Sequence, residues 1–195
     1  MAVDYEVAVP KAKGTNMLHM RSFVERTYGP SEWKRVLDAL TSSDRDVVMQ
    51  LTPIGWYDLG TQHRLLRTID ATLGKGDLSL VPVVGRYEAD QDLSTVHRLF
   101  VRFTSPAYVL QKSGEYWRRF YDTGHWRVQG GKGGTATGSL FDFGIVDSAF
   151  CTYLTAYIYR MFQLAGAREG SLEHTECRAR PGTDGRACVF VGRWT

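Results

Sequence analysis

The sequence predicts an α+β fold, a small antiparallel sheet packed with helices behind a helical N-terminal part. Three observations predict it. Apolar residues recur at three- and four-residue spacing through much of residues 17–121, the period of a helix face. After about residue 122 the pattern changes to short runs bounded by glycine, interrupted by one long helical stretch. The resulting order, helices first and then strands around one long helix, is not the strict alternation of a parallel α/β sheet.

Taken in order, Gly14-Thr15-Asn16 reads as a helix entrance, and Met17, Met20, Val24 and Tyr28 form the apolar face that follows. Gly29-Pro30 stops that helix. Ser31 is placed to cap the next, which carries Trp33, Val36, Leu37 and Leu40. A short helix follows Ser42-Ser43-Asp44. From about Asp58 another carries Leu59, Leu66, Ile69 and Leu73 and ends near Gly74. Residues 75–91 are ambiguous, with Val81-Pro82-Val83-Val84-Gly85 readable as strand or loop. Leu93, Val96, Phe100 and Phe103 make a further helical face, and Pro106 begins a new short segment. His125–Val128 and Thr137–Phe143 read as strands joined through Gly130-Gly131-Lys132-Gly133-Gly134. Asp147 or Ser148 can cap a long helix with Phe150, Leu154, Ile158, Phe162 and Ala165 in register, and Gly166 is its stop signal. The last 25 residues read as a hairpin with arms at about 171–179 and 186–194 around Pro181–Gly185. We expect one domain over residues 1–195, mainly helical to about 122.

The 195 residues are 43% hydrophobic and 23% charged, which excludes a disordered or disulfide-dense chain. Lysine and arginine number 24 and acidic residues 21, a net charge of +3, too mild for a nucleic-acid binder. No run approaches the ~18 apolar residues of a spanning helix. The start, MAVDYEVAVPKAK, lacks a basic-then-apolar leader pattern, so a cytoplasmic location is expected. A chain of this length buries enough surface to fold without a metal or a disulfide.

Three cysteines, Cys151, Cys177 and Cys188, all lie in the last 45 residues. Cys151 falls near the start of the long helix, where the helix dipole favours a thiolate. If the hairpin closes about Gly182-Thr183, Cys177 lies opposite Cys188, with Cβ atoms ~4.5–5.5 Å apart. Three readings are open: independent buried cysteines, a cross-strand disulfide disfavoured in a reducing cytosol, or a zinc site of three thiolates and one further ligand. For the fourth ligand, His174 precedes Cys177 by three, an odd offset that puts the two side chains on opposite faces of an ideal strand. Only an irregularity such as a bulge lets His174 serve. Glu173 has the right parity but sits further along the strand.

The C-terminal segment C-T-Y-L-T-A-Y-I, L-A-G-A, H-T-E-C, a glycine-containing turn, C-V-F-V and the final Trp194 resembles the 4-vinyl reductase domain. That module is a ligand-binding domain also found in the phenol-responsive sensors of bacterial transcription activators. It is structurally akin to heme nitric-oxide-binding domains and to TRAPP tethering subunits. The likeness points most directly to a paralogous family of about this length expanded in myxobacteria. It covers about residues 147–194, while the first half fits by order of elements. The phenol sensors hold structural zinc on a helix Cys, an acidic residue and a Cys separated by two residues, and a Cys on the next strand. Cys151, Cys177 and Cys188 match the three thiolates, and His174 stands where the family has its acidic ligand. The resemblance therefore implies zinc on Cys151, His174, Cys177 and Cys188. With four protein ligands the metal is structural, since catalysis needs an open position.

The family's pocket lies between sheet and helices, where this chain is rich in aromatics. His97, Phe100, Tyr116, Trp117, Trp126 and Phe141 are the candidate ligand contacts, with core filling as the bland alternative. The phenol sensors grip a hydroxyl with a His and a Trp, for which His97 and Trp126 are candidates. His125 is a further donor beside Trp126. Gly-Gly-Lys-Gly-Gly-Thr is not a Walker loop, because Lys132 is not followed by Ser or Thr and a strand follows. The Tyr-x-Ser-x-Arg signature of the heme nitric-oxide sensors is missing, so heme is not expected. No nucleophile–base pair stands out, so no enzyme is expected. Met17, Met20 and Val24 are the expected homodimer surface, with core burial as the alternative. The function expected is a non-enzymatic sensor or regulatory module for a small apolar or aromatic ligand, with structural zinc and a signalling partner protein. The rival is an interaction or scaffold subunit without a pocket; an accessory role in tetrapyrrole enzymology is a third option.

Overall fold

The structure, a computed structural model, describes residues 8–92, 105–130, 133–167, 169–180 and 185–195. The expected helical face of Leu93, Val96, Phe100 and Phe103, with the candidates His97 and Phe100, lies outside the described residues.

A two-stranded antiparallel ribbon, β1 (Lys11–Lys13) with β2 (Trp56–Asp58), precedes and interrupts the helical half. Both strands are three residues long, too short for an alternation to show in the sequence. α1 (Gly14–Thr27), α2 (Pro30–Ala39), α3 (Ser42–Met49) and α4 (Leu59–Leu73) follow the expected order. Ser31 is not the cap of α2. Gly29 is, at φ 101°, with Pro30 in the first turn, where its missing N–H would have had no helical partner anyway. Thr41 and Asp58 cap α3 and α4 by accepting from Asp44 N and Gly60 N.

The ambiguous segment is a helix, α5 (Val81–Asp92). Pro82 falls in its first turn, where proline is tolerated, and Val81 and Val84 are buried. α6 (Pro106–Phe120) is a full helix rather than a short segment, capped by Ser105. The sheet is β3 (His125–Gly130), β4 (Thr135–Phe141), β5 (Gly170–Glu176) and β6 (Ala187–Trp194), in spatial order β3-β4-β6-β5 and antiparallel throughout. α7 (Ser148–Leu164) is the long helix, capped by Asp147, which accepts from Ala149 N and Phe150 N.

Alternation in β4 and β6 turns Ala136, Gly138, Leu140, Cys188, Phe190 and Gly192 toward the helices. Glycine at 138 and 192 is required by its neighbours: a Cβ there would press on the Trp126 ring and the Phe162 ring. α5 lies against α7, closely enough at Gly85 that a Cβ would collide with the Tyr153 carbonyl oxygen.

Met17, Met20 and Val24 are 0% exposed. α1 packs on α2, α4 and α5, so the methionine stripe is core and not the expected dimer surface. Periodicity locates an apolar face but does not say whether the covering partner is the same chain.

Candidate functional site

Two sites emerge, and α7 contributes to both. The first is a thiol–imidazole cluster. The Asp147 cap sets the first turn of α7 and puts Cys151 one turn in, its N–H bonded to Asp147 O at 2.9 Å. Cys188 is on the inner face of β6, and Cys177 follows the end of β5. All three cysteines are free and buried. The ladder pairs His174 with Phe190 and Glu176 with Val189, leaving Thr175 as the extra residue of a bulge. That bulge lets residues three apart face the same way. The His174 ring stacks on Phe190 at 4.4 Å, on the inner face with Cys188.

One ligand atom from each of Cys151, His174, Cys177 and Cys188 lies within 4.8 Å of the others. Cys151 Sγ is 3.9 Å from Cys188 Sγ and 3.6 Å from Cys177 Sγ. Tetrahedral zinc with bonds of ~2.3 Å has sulfur–sulfur edges of about 3.8 Å. His174 Nε2 is buried without a hydrogen-bond partner. The Ala179 N–H donates to Cys177 Sγ at 3.4 Å. The Cys188 sulfur is held low by the Cys151 thiol that donates to it, while that same contact and burial push Cys151 up. Glu173 is elsewhere: it faces out and pairs with Arg193 at 3.1 Å.

The second site is a cavity of about 200 Å³ between the sheet, α6, α7 and the inner ends of α1 and α5. Its walls are mostly aromatic and aliphatic, including Trp117, Tyr121, Trp126, Ile158, Phe162 and Phe190. Of the expected ligand contacts, Tyr116, Trp117 and Trp126 line it. Phe141 does not, because its parity in β4 puts it on the other face, where it stacks on His125 at 5.4 Å. His125 is on that face too and pairs with Asp142 at 3.4 Å. The glycine-rich sequence falls between β3 and β4, two strands, which is not the strand-to-helix setting of a phosphate loop.

The sequence reading missed the polar end of this cavity. Asn16, Glu88 and Asp92 line it, with Tyr121, Tyr153 and Tyr157 beside them. Glu88 is 2% exposed, and burial raises its carboxyl pKa well above the usual carboxylate range. Burial likewise pushes Asp92 up to about 6, against the pull of Tyr157, whose hydroxyl donates to it at 2.7 Å. The signal available was the four-residue spacing of Glu88 and Asp92, and of Tyr153 and Tyr157, each pair on one helix face.

No protein-family model and no curated protein matches the chain. Solved structures do match it over nearly its whole length. An H-NOX protein from S. oneidensis in the Fe(II)NO ligation state superposes with a TM-score of 0.72 at 13% identity, covering 94% of this chain and 99% of that one. Fe(II) unliganded H-NOX from K. algicida gives 0.68 at 14%, over 94% and 96%. An oxygen-binding H-NOX domain related to soluble guanylate cyclases gives 0.67 at 15%, over 94% and 95%. The likeness at these identities is one of fold: this chain has the α+β architecture of the H-NOX domains.

Proposed function

We propose that the chain is a non-enzymatic sensor or regulatory module that binds a small, largely apolar ligand in the cavity beneath its sheet. The observation that carries this reading is the cavity itself, mostly apolar with a few convergent polar groups, as ligand sites are. The fold shared with H-NOX domains supports a small-molecule sensor. Its output would pass through a partner protein. Residues 1–195 serve as one unit in this reading, and a homodimer would use a surface other than the buried methionine stripe.

Cys151, His174, Cys177 and Cys188 would hold a structural zinc ion. The sulfur spacings and the unpartnered His174 Nε2 fit that ion, which would pin α7 to the β5–β6 hairpin. Free, clustered thiols suit a reducing compartment such as the cytoplasm. No helix among the described residues is long and apolar enough to cross a membrane.

Heme is named for H-NOX relatives, but the described lining does not fit it. The 200 Å³ cavity is below the ~300–1,000 Å³ of drug-sized ligand pockets. Among the described residues no histidine or cysteine lines it, and two carboxyls face the space. A scaffold role without a ligand is the second reading, favoured by the exposure of Met49, Ile54 and Trp56 in one short stretch.

The test is protein purified without chelator, assayed for metal, free thiols, visible absorption and native mass. About one zinc per chain, masked thiols, no Soret band and a small-molecule adduct are expected. Metal-free protein with three reactive thiols would refute the zinc site. A stoichiometric Soret band would refute the argument against heme.

A further inference from the structure

One end of the cavity is chemically unlike the rest. Glu88 and Asp92 stand one turn apart on α5 and face the space together. Glu88 receives the Tyr153 hydroxyl, but its Oε2 meets no hydrogen-bond partner. Asn16, 1% exposed on α1, lines the same end; its amide group interacts with the Tyr121 hydroxyl, but its Oδ1 has no hydrogen-bond partner. Among the described residues Asp92 has only His19 as an ion-pair partner, at 3.4 Å, and Glu88 has none. Burial holds His19 below its usual pKa and so toward the neutral form, and Arg119 is the one cation in the described lining. Buried polar groups normally find partners, so unpartnered acceptors facing the cavity mark where a donor belongs.

We propose that the ligand carries a protonated amine on an aromatic body, with the ammonium group meeting Glu88 and Asp92 and the ring held near Trp117 and Phe190. The proposal rests on the sensor reading of the cavity and deepens it by naming the ligand class. An ammonium group supplies up to three donors, matching Glu88 Oε2, an Asp92 oxygen and Asn16 Oδ1. Tyr121, Tyr153 and Tyr157 also line the cavity, and an aromatic ring attracts a cation that meets its face. A cavity of ~150 Å³ holds one benzene ring. About 200 Å³ therefore admits a ring with a short chain, the size of phenethylamine. Burial raises both carboxyls toward the neutral acid in the unliganded cavity, and a bound ammonium would draw them back to the charged form. A divalent cation is the competing occupant, because His19, Glu88 and Asp92 have ligand atoms within 4.8 Å of one another. It suits the site less well: hard cations gather six or more oxygens, and the walls beyond the carboxyls are aromatic.

The experiment is calorimetric titration of the full chain with phenethylamine, 2-phenylethanol and 3-phenylpropionate, repeated on Glu88→Gln and Asp92→Asn. Both substitutions keep side-chain shape, and circular dichroism confirms folding. The amine should bind about tenfold tighter than the alcohol, and the acid weakest. Each variant should lose most of the amine's advantage while keeping the alcohol's affinity. Equal binding of alcohol and amine would overturn the amine proposal and leave the cavity reading standing. Binding of none of the three would overturn both. Saturable Mn²⁺ or Zn²⁺ binding that Glu88→Gln abolishes, with no amine preference, would give the carboxyls to a metal instead.

Discussion

Replacing Asp92 by asparagine should stabilise the protein at neutral pH and leave its stability in acid unchanged. The carboxyl is buried, which raises its pKa from 3.8 to about 6. As pH rises the unfolded chain ionises this group first, so stability falls from about pH 4 and the full cost is present above about pH 6. A rise of about two pH units at about 1.4 kcal/mol each makes that cost about 3 kcal/mol. Asparagine keeps an oxygen to accept from the Tyr157 hydroxyl, so the packing and that bond survive. It also removes the charge that Asp92 places on Glu88, one of the causes of that group's rise. The assay is urea unfolding of both proteins at half-unit steps from pH 3.5 to 8. Acid loss of any metal affects both alike, so the difference between the curves isolates residue 92. It should be near zero at pH 3.5 and reach about 3 kcal/mol by pH 7.5. A flat difference, or a variant less stable than its parent at pH 7.5, would refute the desolvation argument.

Further consequences are open to measurement. Cys188→Ser should abolish metal binding and lower Tm; chelator should reproduce the fall in the parent and add nothing in the variant. Asp70, 1% exposed, accepts from Leu78 N at 2.8 Å and Leu80 N at 2.9 Å. Asp70→Ala should therefore cost about 2–4 kcal/mol in denaturant melts, since it strands two backbone donors. Gly85→Ala should cost ~1–3 kcal/mol through collision with the Tyr153 carbonyl, detectable as a lower urea midpoint at unchanged m. Phe150 is 1% exposed and stacks on His63 and Phe143; Phe150→Ala should lose about 3–5 kcal/mol by the same assay.

The helices that were legible in the sequence, such as α1, α4 and α7, pair one apolar stripe with clear punctuation, Gly29-Pro30 after the first and Gly74 after the second. α5 was hidden because it inverts the usual pattern. Glu88 and Asp92 look like solvent-facing residues, yet they point inward at a cavity, and β-branched Val81, Val83 and Val84 open the helix. The same inversion hid the polar end of the candidate site. The cysteine cluster was legible because hairpin symmetry places Cys177 and Cys188 together, and the Glu176↔Val189 register agrees with that symmetry. His174 was not fixed by its spacing, since whether a strand bulges depends on its neighbours and not on its own sequence. Tyr116, Trp117 and Trp126 were placed by aromatic density alone, a guide that failed for Phe141 because density says nothing of which face a residue takes.

The bulge at Thr175 has a consequence for how such a site is recognised in other chains. The extra residue is absorbed within the strand, so His174 and Cys177 occupy neighbouring positions on one face although they are three apart in sequence. In a regular strand the same two positions belong to residues two apart. His-x-x-Cys with a bulge and His-x-Cys without one are thus the same donor pair written at two lengths. A search keyed to either fixed spacing would pass over the other. The invariant to look for is the paired position: a donor abreast of the aromatic residue two places after the strand cysteine, as His174 is abreast of Phe190.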